Sequence, residues 1–451
     1  MQRCPSNQEA LLTDLYQLTM MQAYFNENMH DTAVFEFFIR TMPENRHFFV
    51  AAGLQSVIEF IQNLHFNADD INFLREQKLF SEDFLDFLSY FRFTGEVNAI
   101  LEGTVFFPQE PVLQVIAPIA QAQFIESRVI NLLHFQTLIA TKAARCVLQA
   151  PNKLLVDFGM RRAHGAEAAL YAARASYLVG FTGTATVLAG KKYEIPLYGT
   201  MAHSYIQAHN SEYAAFEAFA RAQQNNVTLL IDTYDTEHAA YIVGELAEKL
   251  QQQGIEIKAV RLDSGDLGLH AKKVRKILDE ANLQAIKIFC SGDLDEYKLH
   301  ELIQNNYPID GFGLGTRLGT SYDGPALDCV YKLQEYAGKP RRKKSEGKST
   351  WPGRKQIYRF YQTDGIMSHD IITRSEEVIN NARPLLESVI RDGKLIASIK
   401  SLSDMRAYAA KELKSLPNDL KGINKAKPYS VKIAQSLEYL AVEVDKEIAS
   451  L

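Results

Sequence analysis

Apolar residues recur at helical spacing along most of the first third of the chain, interrupted by a strand-like run and by a stretch of strict alternation. The helical spacing predicts helices over residues 11–25, 54–64, 68–78, 82–91 and 119–149. A strand-like run lies within residues 31–50. Apolar and polar positions alternate from 95 to 116, which predicts a small antiparallel sheet. Together these patterns predict an N-terminal α+β domain over residues 1–150.

Between residues 151 and 336 the pattern becomes one of short apolar runs separated by helical stretches. Seven runs end at glycine or polar residues: 154–158, 177–181, 197–198, 227–231, 257–260, 286–290 and 309–312. Strands that alternate with helices form parallel sheets, and in a (β/α) barrel the loops after the strands carry the chemistry. The pattern therefore predicts an α/β catalytic domain, a (β/α) barrel with its polar strand ends on one face.

Residues 337–451 carry a basic loop followed by a smaller α/β pattern. The loop 339–355 contains Gly347-Lys348-Ser349, but Arg342 stands where a phosphate-binding P-loop needs glycine, which argues against that motif. The loop is either a solvated hairpin or a mobile arm that meets phosphates. A strand pair and two helices are predicted after it, at 356–363, 366–373, 402–414 and 430–447. We expect this C-terminal extension to pack back on the N-terminal domain.

Composition narrows the function classes. The chain has 451 residues, 47% of them hydrophobic and 23% charged, which is typical of a soluble globular protein. The net charge of −5 gives no bulk attraction to nucleic acid. The polar N-terminus shows no signal-peptide core, and the most apolar long window, 168–190, contains Arg174. Neither export nor a membrane span is expected.

The cysteines point to a compartment. All four stand far apart in the sequence: Cys4, Cys146, Cys290 and Cys329. This spacing argues against a zinc site or a disulfide framework. It suits a reducing, cytoplasmic environment.

The residues after the predicted strands are suited to anions. Gly313, Gly315 and Thr316 offer backbone N–H groups, a hydroxyl and the close approach that a phosphate needs. Arginines and aspartates also follow the predicted strands: Arg161, Arg261, Arg317, Asp263, Asp266 and Asp293. Guanidinium groups bind carboxylates and phosphates, and carboxylates hold ribose hydroxyls or, through water, Mg²⁺. The combination favours a phosphorylated sugar with a metal-bound diphosphate.

His203 is the most informative single residue. A lone histidine is more often structural, because its ring satisfies buried carbonyl groups. Here the residue follows Gly199-Thr200 at a predicted strand end, on the side expected for Asp232. A carboxylate on one ring nitrogen would fix the tautomer and raise the basicity of the other. His203 is therefore a candidate general base or nucleophile.

Several stretches carry a resemblance to a known family. They are LLTDLYQLTM (11–20), FGMRRAHG (158–165), GFTGTATVLAG (180–190), GTMAHSYI (199–206), RLDSGDLG (261–268), SGD (291–293), GFGLGTRLGTS (311–321) and SEGKSTWPGRKQIYR (345–359). With these stretches in this order, the chain resembles the nicotinate phosphoribosyltransferase family over nearly its full length. His164 departs from the family pattern, where Gln is frequent, and we attach no functional weight to it.

The resemblance implies an activity and an architecture. The activity is synthesis of nicotinate mononucleotide and diphosphate from nicotinate and 5-phosphoribosyl 1-diphosphate in NAD salvage, coupled to ATP hydrolysis. The architecture is the irregular barrel of type II phosphoribosyltransferases, in a homodimer with shared active sites and Mg²⁺. His203 matches the histidine that is phosphorylated from ATP, and Asp232 would orient it.

The resemblance also assigns binding residues. Those expected at nicotinate are Phe158, Arg161, Thr184, Ala185, Thr200 and, from the neighbouring subunit, Tyr16. Those expected at the phosphoribosyl and diphosphate groups are Arg261, Asp263, Gly292, Asp293, Gly313, Gly315, Thr316 and Arg317. No residue is assigned to Mg²⁺ directly.

Ala185 bears on the choice between acid and amide. Related nicotinamide enzymes carry an Asp at this position, where it would accept an amide N–H and repel a carboxylate. Because Ala185 removes that repulsion, nicotinate is the expected substrate.

Other interpretations remain open at this point. A nicotinamide enzyme is disfavoured by Ala185, and the quinolinate relative is usually shorter and has no phosphorylated histidine. A non-catalytic nucleotide-binding relative would be expected to have lost His203 or Asp263, and both are present. A phosphosugar aldolase or isomerase would need a Lys or Glu at a strand end.

Overall fold

The computed structural model describes residues 10–345 and 347–450, so Cys4, the polar N-terminus and Glu346 of the basic loop lie outside the described residues. The chain forms two compact units. Unit 1 combines the chain up to Thr141 with the chain from Ala326 onward, and unit 2 is Lys142–Pro325. None of the helices in the described ranges combines the length and apolar character needed to cross a membrane.

The first part of the chain alternates helices with short strands. The helices are α1 (Leu15–Asn26), α2 (Leu54–Asn63), α3 (Ala68–Gln77), α4 (Glu82–Ser89), α5 (Ile119–Phe124) and α6 (Glu126–Gln149). The strands are β1 (Thr32–Ile39), β2 (Phe49–Val50), β3 (Glu96–Ile100), β4 (Val105–Phe106) and β5 (Leu113–Pro118). Caps define the predicted helices well: Asn67 and Asp70 form a capping box at α3, and Ser81 caps α4.

Unit 2 begins within α6 and then alternates strands with helices. Its strands are β6 (Leu154–Asp157), β7 (Gly183–Thr184), β8 (Val227–Leu230), β9 (Ile257–Leu262), β10 (Lys287–Ser291) and β11 (Gly311–Leu314). Its helices are α7 (Ala166–Leu178), α8 (Val187–Tyr193), α9 (His203–Gln207), α10 (Glu212–Ala222), α11 (Thr236–Gln251), α12 (Leu267–Glu280), α13 (Glu296–Gln304) and α14 (Thr316–Gly319). A 3₁₀ turn, Met160–Arg162, follows β6.

The remainder of the chain returns to unit 1. Its strands are β12 (Cys329–Tyr336), β13 (Lys339–Pro340), β14 (Lys355–Tyr361), β15 (Met367–Arg374), β16 (Arg383–Pro384), β17 (Leu386–Arg391), β18 (Lys394–Leu395) and β19 (Val431–Ile433). Its helices are α15 (Leu402–Ser415) and α16 (Gln435–Ala449), with a 3₁₀ turn at Asn418–Lys421.

The main sheet of unit 1 joins the two ends of the chain. Its order among the described strands is β13-β12-β1-β5-β3-β17-β18. The C-terminal extension thus packs on the N-terminal domain, as predicted from the sequence. All positions of β1 after Thr32 are buried. This burial explains why β1 lacks an alternating pattern.

The sheet of unit 2 is parallel, with the order β7-β6-β11-β10-β9-β8. A bridge between Thr184 and Leu197 extends it beyond β7. Because all strands run the same way, the residues after them meet at one edge, as the barrel pattern predicts.

Some predicted elements were wrong. Residues 177–181 are not a strand: α7 continues to Leu178, and the sheet strand is β7. The buried end of α7 gives an apolar run that is too short for its period to separate helix from strand. The predicted helix 119–149 is two helices, and residues 430–447 begin with β19. Residues 329–336, assigned to the barrel segment, form β12 beside β1.

Candidate active site

Arg261 connects three strand ends of unit 2. Its Nε donates to Ser291 Oγ at 2.9 Å, and its terminal nitrogens donate to Thr200 Oγ1 at 3.2 Å and Asp263 Oδ1 at 2.8 Å. The guanidinium carbon lies 5.4 Å from the centre of the Phe158 ring, a cation–π distance. Four residues that the sequence assigned to the site are therefore in one cluster: Phe158, Thr200, Arg261 and Asp263.

Asp263 is held as an anion. Burial alone would raise its pKa, but the Arg261 guanidinium and a hydrogen bond from the Ser291 hydroxyl outweigh burial, so the pKa lies below its usual range. An ionised carboxylate at this position can accept hydrogen bonds from sugar hydroxyls.

His203 opens α9 with 38% of its side chain exposed. Its Nδ1 lies 3.1 Å from Thr233 Oγ1, and its Nε2 lies 3.9 Å from Asp263 Oδ2. The expected pair with Asp232 is not formed: Asp232 Oδ2 instead accepts hydrogen bonds from the Asp263 N–H at 2.9 Å and the Ser264 hydroxyl at 2.6 Å. Asp232 therefore supports the loop that carries Asp263, because the donors that reach its carboxylate come from that loop and not from His203.

A pocket of about 370 Å³ inside unit 2 is lined both by the aromatic part of this cluster and by the first residues of β6, β10 and β11. Phe158, Phe289, Tyr198 and Thr200 line it, with the Phe158 and Phe289 ring centres 5.8 Å apart. A Cβ at Gly313 would lie 2.6 Å from the Phe158 ring. Gly313, expected at a phosphate, thus makes room for this ring.

The neighbouring strand ends place three more predicted residues. Thr184 is fully buried and Ala185 is exposed directly after it. Arg161 is exposed on the 3₁₀ turn after β6 and makes no ion pair or hydrogen bond through its guanidinium within the described part of the chain. An unpaired, exposed guanidinium is suited to an anionic ligand.

A second cavity, of about 610 Å³, lies at the ends of β9 and β10. Gly292 has a φ of +98°, and a Cβ there would lie 2.1 Å from the Asp263 carbonyl oxygen, so only glycine fits this turn. Asp293 has a φ of +46°. Its carboxylate accepts hydrogen bonds from Arg317 Nε at 2.7 Å and from Arg317 Nη2 at 2.6 Å. This hydrogen bonding lowers the pKa of Asp293. Arg317 also donates to Asp295 at 2.8 Å.

Gly315 and Thr316 form the turn after β11. Thr316 is exposed and begins the four-residue α14, and a Cβ at Gly315 would be 3.4 Å from the Phe158 carbonyl oxygen. This turn and the Gly292–Asp293 turn are bridged by Arg317. The predicted phosphate residues therefore lie on two linked turns.

Tyr16, expected to act from a neighbouring subunit, lies on α1 in unit 1. Its side chain is 47% exposed, and its hydroxyl donates to Glu126 Oε2 at 3.3 Å. Burial, followed by the charge of Glu126, raises its pKa.

Comparison with known proteins decides the family. The sequence matches the nicotinate phosphoribosyltransferase N-terminal domain over residues 11–134, the nicotinate phosphoribosyltransferase family domain over 154–350 and the nicotinate phosphoribosyltransferase C-terminal domain over 378–441. The chain belongs to the nicotinate phosphoribosyltransferase family.

Individual relatives agree with this membership. The chain is 46% identical to a nicotinate phosphoribosyltransferase of Mycobacterium tuberculosis, covering 95% of this chain and 91% of that protein. It is 36% identical to the nicotinate phosphoribosyltransferase of Bacillus subtilis, covering 94% and 93%. The crystal structure of human nicotinic acid phosphoribosyltransferase superposes with a TM-score of 0.85 at 27% identity, covering 96% of this chain and 100% of that one. The predicted fold class is confirmed.

One residue of the candidate site was not predicted from the sequence. Asp157 is buried at the end of β6, where its carboxylate accepts hydrogen bonds from Thr184 Oγ1 at 2.7 Å and the Gly159 N–H at 2.8 Å. Burial raises its pKa, and these two hydrogen bonds only partly offset that effect. The only sequence signal was an acidic residue closing an apolar strand.

Proposed function

We propose that this protein forms nicotinate mononucleotide and diphosphate from nicotinate and 5-phosphoribosyl 1-diphosphate, in NAD salvage. The cluster around Arg261 is the observation that carries the proposal. It sets a guanidinium against the Phe158 ring on one side and an ionised Asp263 on the other. A pyridine carboxylate, a ribose and a diphosphate need these three kinds of partner within a few ångströms of one another.

The chemistry follows from charge and position. Displacement of diphosphate from the sugar passes through a state with positive charge on the ring. Holding the leaving group and placing the pyridine nitrogen in line therefore supply the catalysis. The pyridine nitrogen is a competent nucleophile, so no side chain needs to remove a proton from it. Arg261 and the exposed Arg161 would hold anionic groups, and Asp263 would hold ribose hydroxyls.

The residues present suit Mg²⁺ held mainly by substrate oxygens. Asp232 Oδ1 is buried and has no hydrogen-bond partner among the described residues. Asp263 is 32% exposed, and its Oδ2 lies 3.9 Å from His203 Nε2. Mg²⁺ is commonly bound through one or two carboxylates together with substrate phosphates and water, so Asp232 and Asp263 would hold it. When bound, it would neutralise charge on the departing diphosphate.

His203 is the residue we assign to ATP coupling. With a proton on Nδ1 donated to Thr233 Oγ1, the Nε2 lone pair is free to attack the γ-phosphorus of ATP. The N–P bond forms as the bond to the departing ADP oxygen breaks, and water later cleaves the phosphohistidine to inorganic phosphate. The 38% exposure of the side chain supports access by a nucleotide.

We also propose a cytoplasmic homodimer in which Tyr16 completes the partner's site. The 47% exposure of Tyr16 supports this role, because stacking requires a ring that a ligand can reach. The free, buried thiols of Cys146 and Cys290 are consistent with a reducing compartment.

A product assay tests the proposal. Purified protein with nicotinate, 5-phosphoribosyl 1-diphosphate and Mg²⁺ should form nicotinate mononucleotide, and ATP should increase its yield while being hydrolysed. His203→Ala should lower ATP hydrolysis by more than about a thousandfold, because the nucleophile is gone, while slow ATP-independent transfer persists.

His238→Ala serves as the control, since His238 is exposed on α11 in the same unit. It should retain ATP hydrolysis. A His203→Ala protein that still hydrolyses ATP in the presence of nicotinate would contradict the coupling role. Absence of nicotinate mononucleotide with the unaltered protein would contradict the activity itself.

A further inference from the structure

A buried group of charges lies in unit 2, directly behind the Asp295 that accepts a hydrogen bond from Arg317. Lys142 on α6 is 1% exposed and pairs with the fully buried carboxylate of Glu296. Arg145, one turn along the same helix, donates from Nε to Glu296 Oε1 at 2.9 Å. The Lys142 ammonium also lies 2.7 Å from Asp323 Oδ1, which is 24% exposed. One ammonium therefore joins a helix to two other segments.

Those two segments follow the two turns that Arg317 bridges, the Gly292–Asp293 turn and the Gly315–Thr316 turn. Glu296 is the first residue of α13, directly after Asp295, the N-cap that accepts a hydrogen bond from Arg317. Asp323 lies in the loop that follows α14 and so follows the Gly315–Thr316 turn. Lys142 thus ties together, from the buried side, the same pair of turns that Arg317 bridges from the exposed side.

The loop carrying Asp323 has a backbone shape that needs support. Ser321 has a φ of +43°, which is unusual for a residue with a side chain, and it is fully buried. Its hydroxyl donates to the Gly324 carbonyl oxygen at 3.0 Å. Such conformations persist where neighbouring contacts hold them, and the Lys142–Asp323 pair is one of those contacts.

Burying charges is a poor way to gain stability, so a buried pair of this kind is better explained by the geometry it enforces. We propose that Lys142 is a positioning residue for the phosphosugar: it sets the spacing between the Gly292–Asp293 turn and the Gly315–Thr316 turn. This inference rests on the proposed function, in which those turns receive 5-phosphoribosyl 1-diphosphate. Lys142 itself touches no substrate.

The sharpest test is Asp323→Asn, which weakens the link to one turn and leaves the buried Lys142–Glu296 pair intact. Titration calorimetry with 5-phosphoribosyl 1-diphosphate and Mg²⁺ should show Kd raised roughly tenfold, because two turns that are no longer held at a fixed spacing must be ordered when the ligand binds. KM for this substrate should rise in parallel, while kcat and the KM for nicotinate change by less than about threefold. Lys142→Met should act in the same direction and more strongly.

Arg275→Met is the matched control. Arg275 is also a half-buried cation of unit 2 that holds loop carbonyls, those of Leu283 and Ile286, but it does so before β10, at the opposite end of that strand from Gly292. Its Kd for 5-phosphoribosyl 1-diphosphate should stay within about twofold of the unaltered value, since the turns keep their spacing.

An unchanged Kd in folded Asp323→Asn overturns the inference. A fall in kcat accompanied by equal rises in the KM values of both substrates also overturns it. If Lys142→Met fails to fold, Asp323→Asn still decides. Failure of the proposed function is seen separately, as unaltered protein that makes no nicotinate mononucleotide.

Discussion

We propose that Ala185 is the residue at which the site discriminates a substrate carboxylate from an amide. It is exposed directly after β7, and its N–H donates to the Asp157 carbonyl oxygen at 2.9 Å, so its position is fixed by the backbone. A methyl group there offers no charge to a pyridine substituent. The neighbouring Thr184 hydroxyl donates its hydrogen bond to Asp157. Thr184 would therefore help to position the turn that carries Ala185.

Ala185→Asp should lower kcat/KM for nicotinate more than for nicotinamide. Two like charges about 4 Å apart repel by on the order of 1–4 kcal/mol between the dielectrics of water and a protein surface. Each 1.4 kcal/mol is tenfold, and because the site is exposed we expect about a tenfold to hundredfold loss. Steady-state kinetics with both substrates measure it.

Ala185→Asn is the control, because asparagine is neutral and has the same size as aspartate. This variant should lose much less activity with nicotinate than Ala185→Asp does. Equal losses with the two substrates in Ala185→Asp would show that charge at this position does not select the substrate.

At the scale of elements, Asp157 joins the ends of β6 and β7. Its two hydrogen bonds hold the turn that carries Phe158 and the short strand that carries Thr184. Burial raises the pKa of this carboxyl above its ordinary value of 3.8. The folded protein therefore binds the proton more tightly than the unfolded chain does, and ionisation of Asp157 opposes folding as the pH rises.

Comparison of the unaltered protein with Asp157→Asn should show that ionisation of Asp157 destabilises the fold. As the pH rises from near 3.8 through the raised pKa, the free energy of unfolding of the unaltered protein should fall relative to that of the variant. The limit is about 1.4 kcal/mol per pH unit for one proton. Urea unfolding of both proteins at several pH values measures it, and a difference that does not change with pH would contradict the assignment.

At the scale of the molecule, a buried cation in unit 1 links segments that are distant along the chain. Arg359 on β14 is fully buried and pairs with Asp370 on β15 at 2.6 Å and Glu412 on α15 at 3.2 Å. It also donates to the Val105 carbonyl oxygen on β4 at 2.7 Å. The C-terminal extension is thereby fastened to the N-terminal domain.

Arg359→Met should lower the free energy of unfolding by about 3–5 kcal/mol, because it leaves the buried Asp370 carboxylate without the cation that balances its charge. Chemical denaturation measures the loss. Arg374→Met is the control: Arg374 is 42% exposed and pairs with the exposed Glu376, so its removal should cost less than about 1 kcal/mol. Equal costs for the two variants would show that the buried pairs add nothing to unit 1.

Much of the fold could be predicted because local signals agreed with it. Helices α2, α3 and α4 begin and end within a residue or two of their predicted bounds, since apolar spacing marks all three and side-chain caps also mark the starts of α3 and α4. The end of α7 was mistaken for a strand because five apolar residues fit either structure. The parallel sheet was predicted from the repetition of the strand–helix pattern, even though one of its strands was misplaced.

The sequence by itself determined which chemical groups reach the candidate site. Arg261, Asp263 and Gly292 directly follow or close strands of one parallel sheet, and in such a sheet the order along the chain is enough to bring them to one edge. Only the tertiary structure decided which groups pair there. His203 faces Thr233 and Asp263 rather than Asp232, and Lys142 reaches Asp323 across 181 positions. Such pairings depend on side-chain distances between remote segments, and no periodicity along a chain encodes those distances.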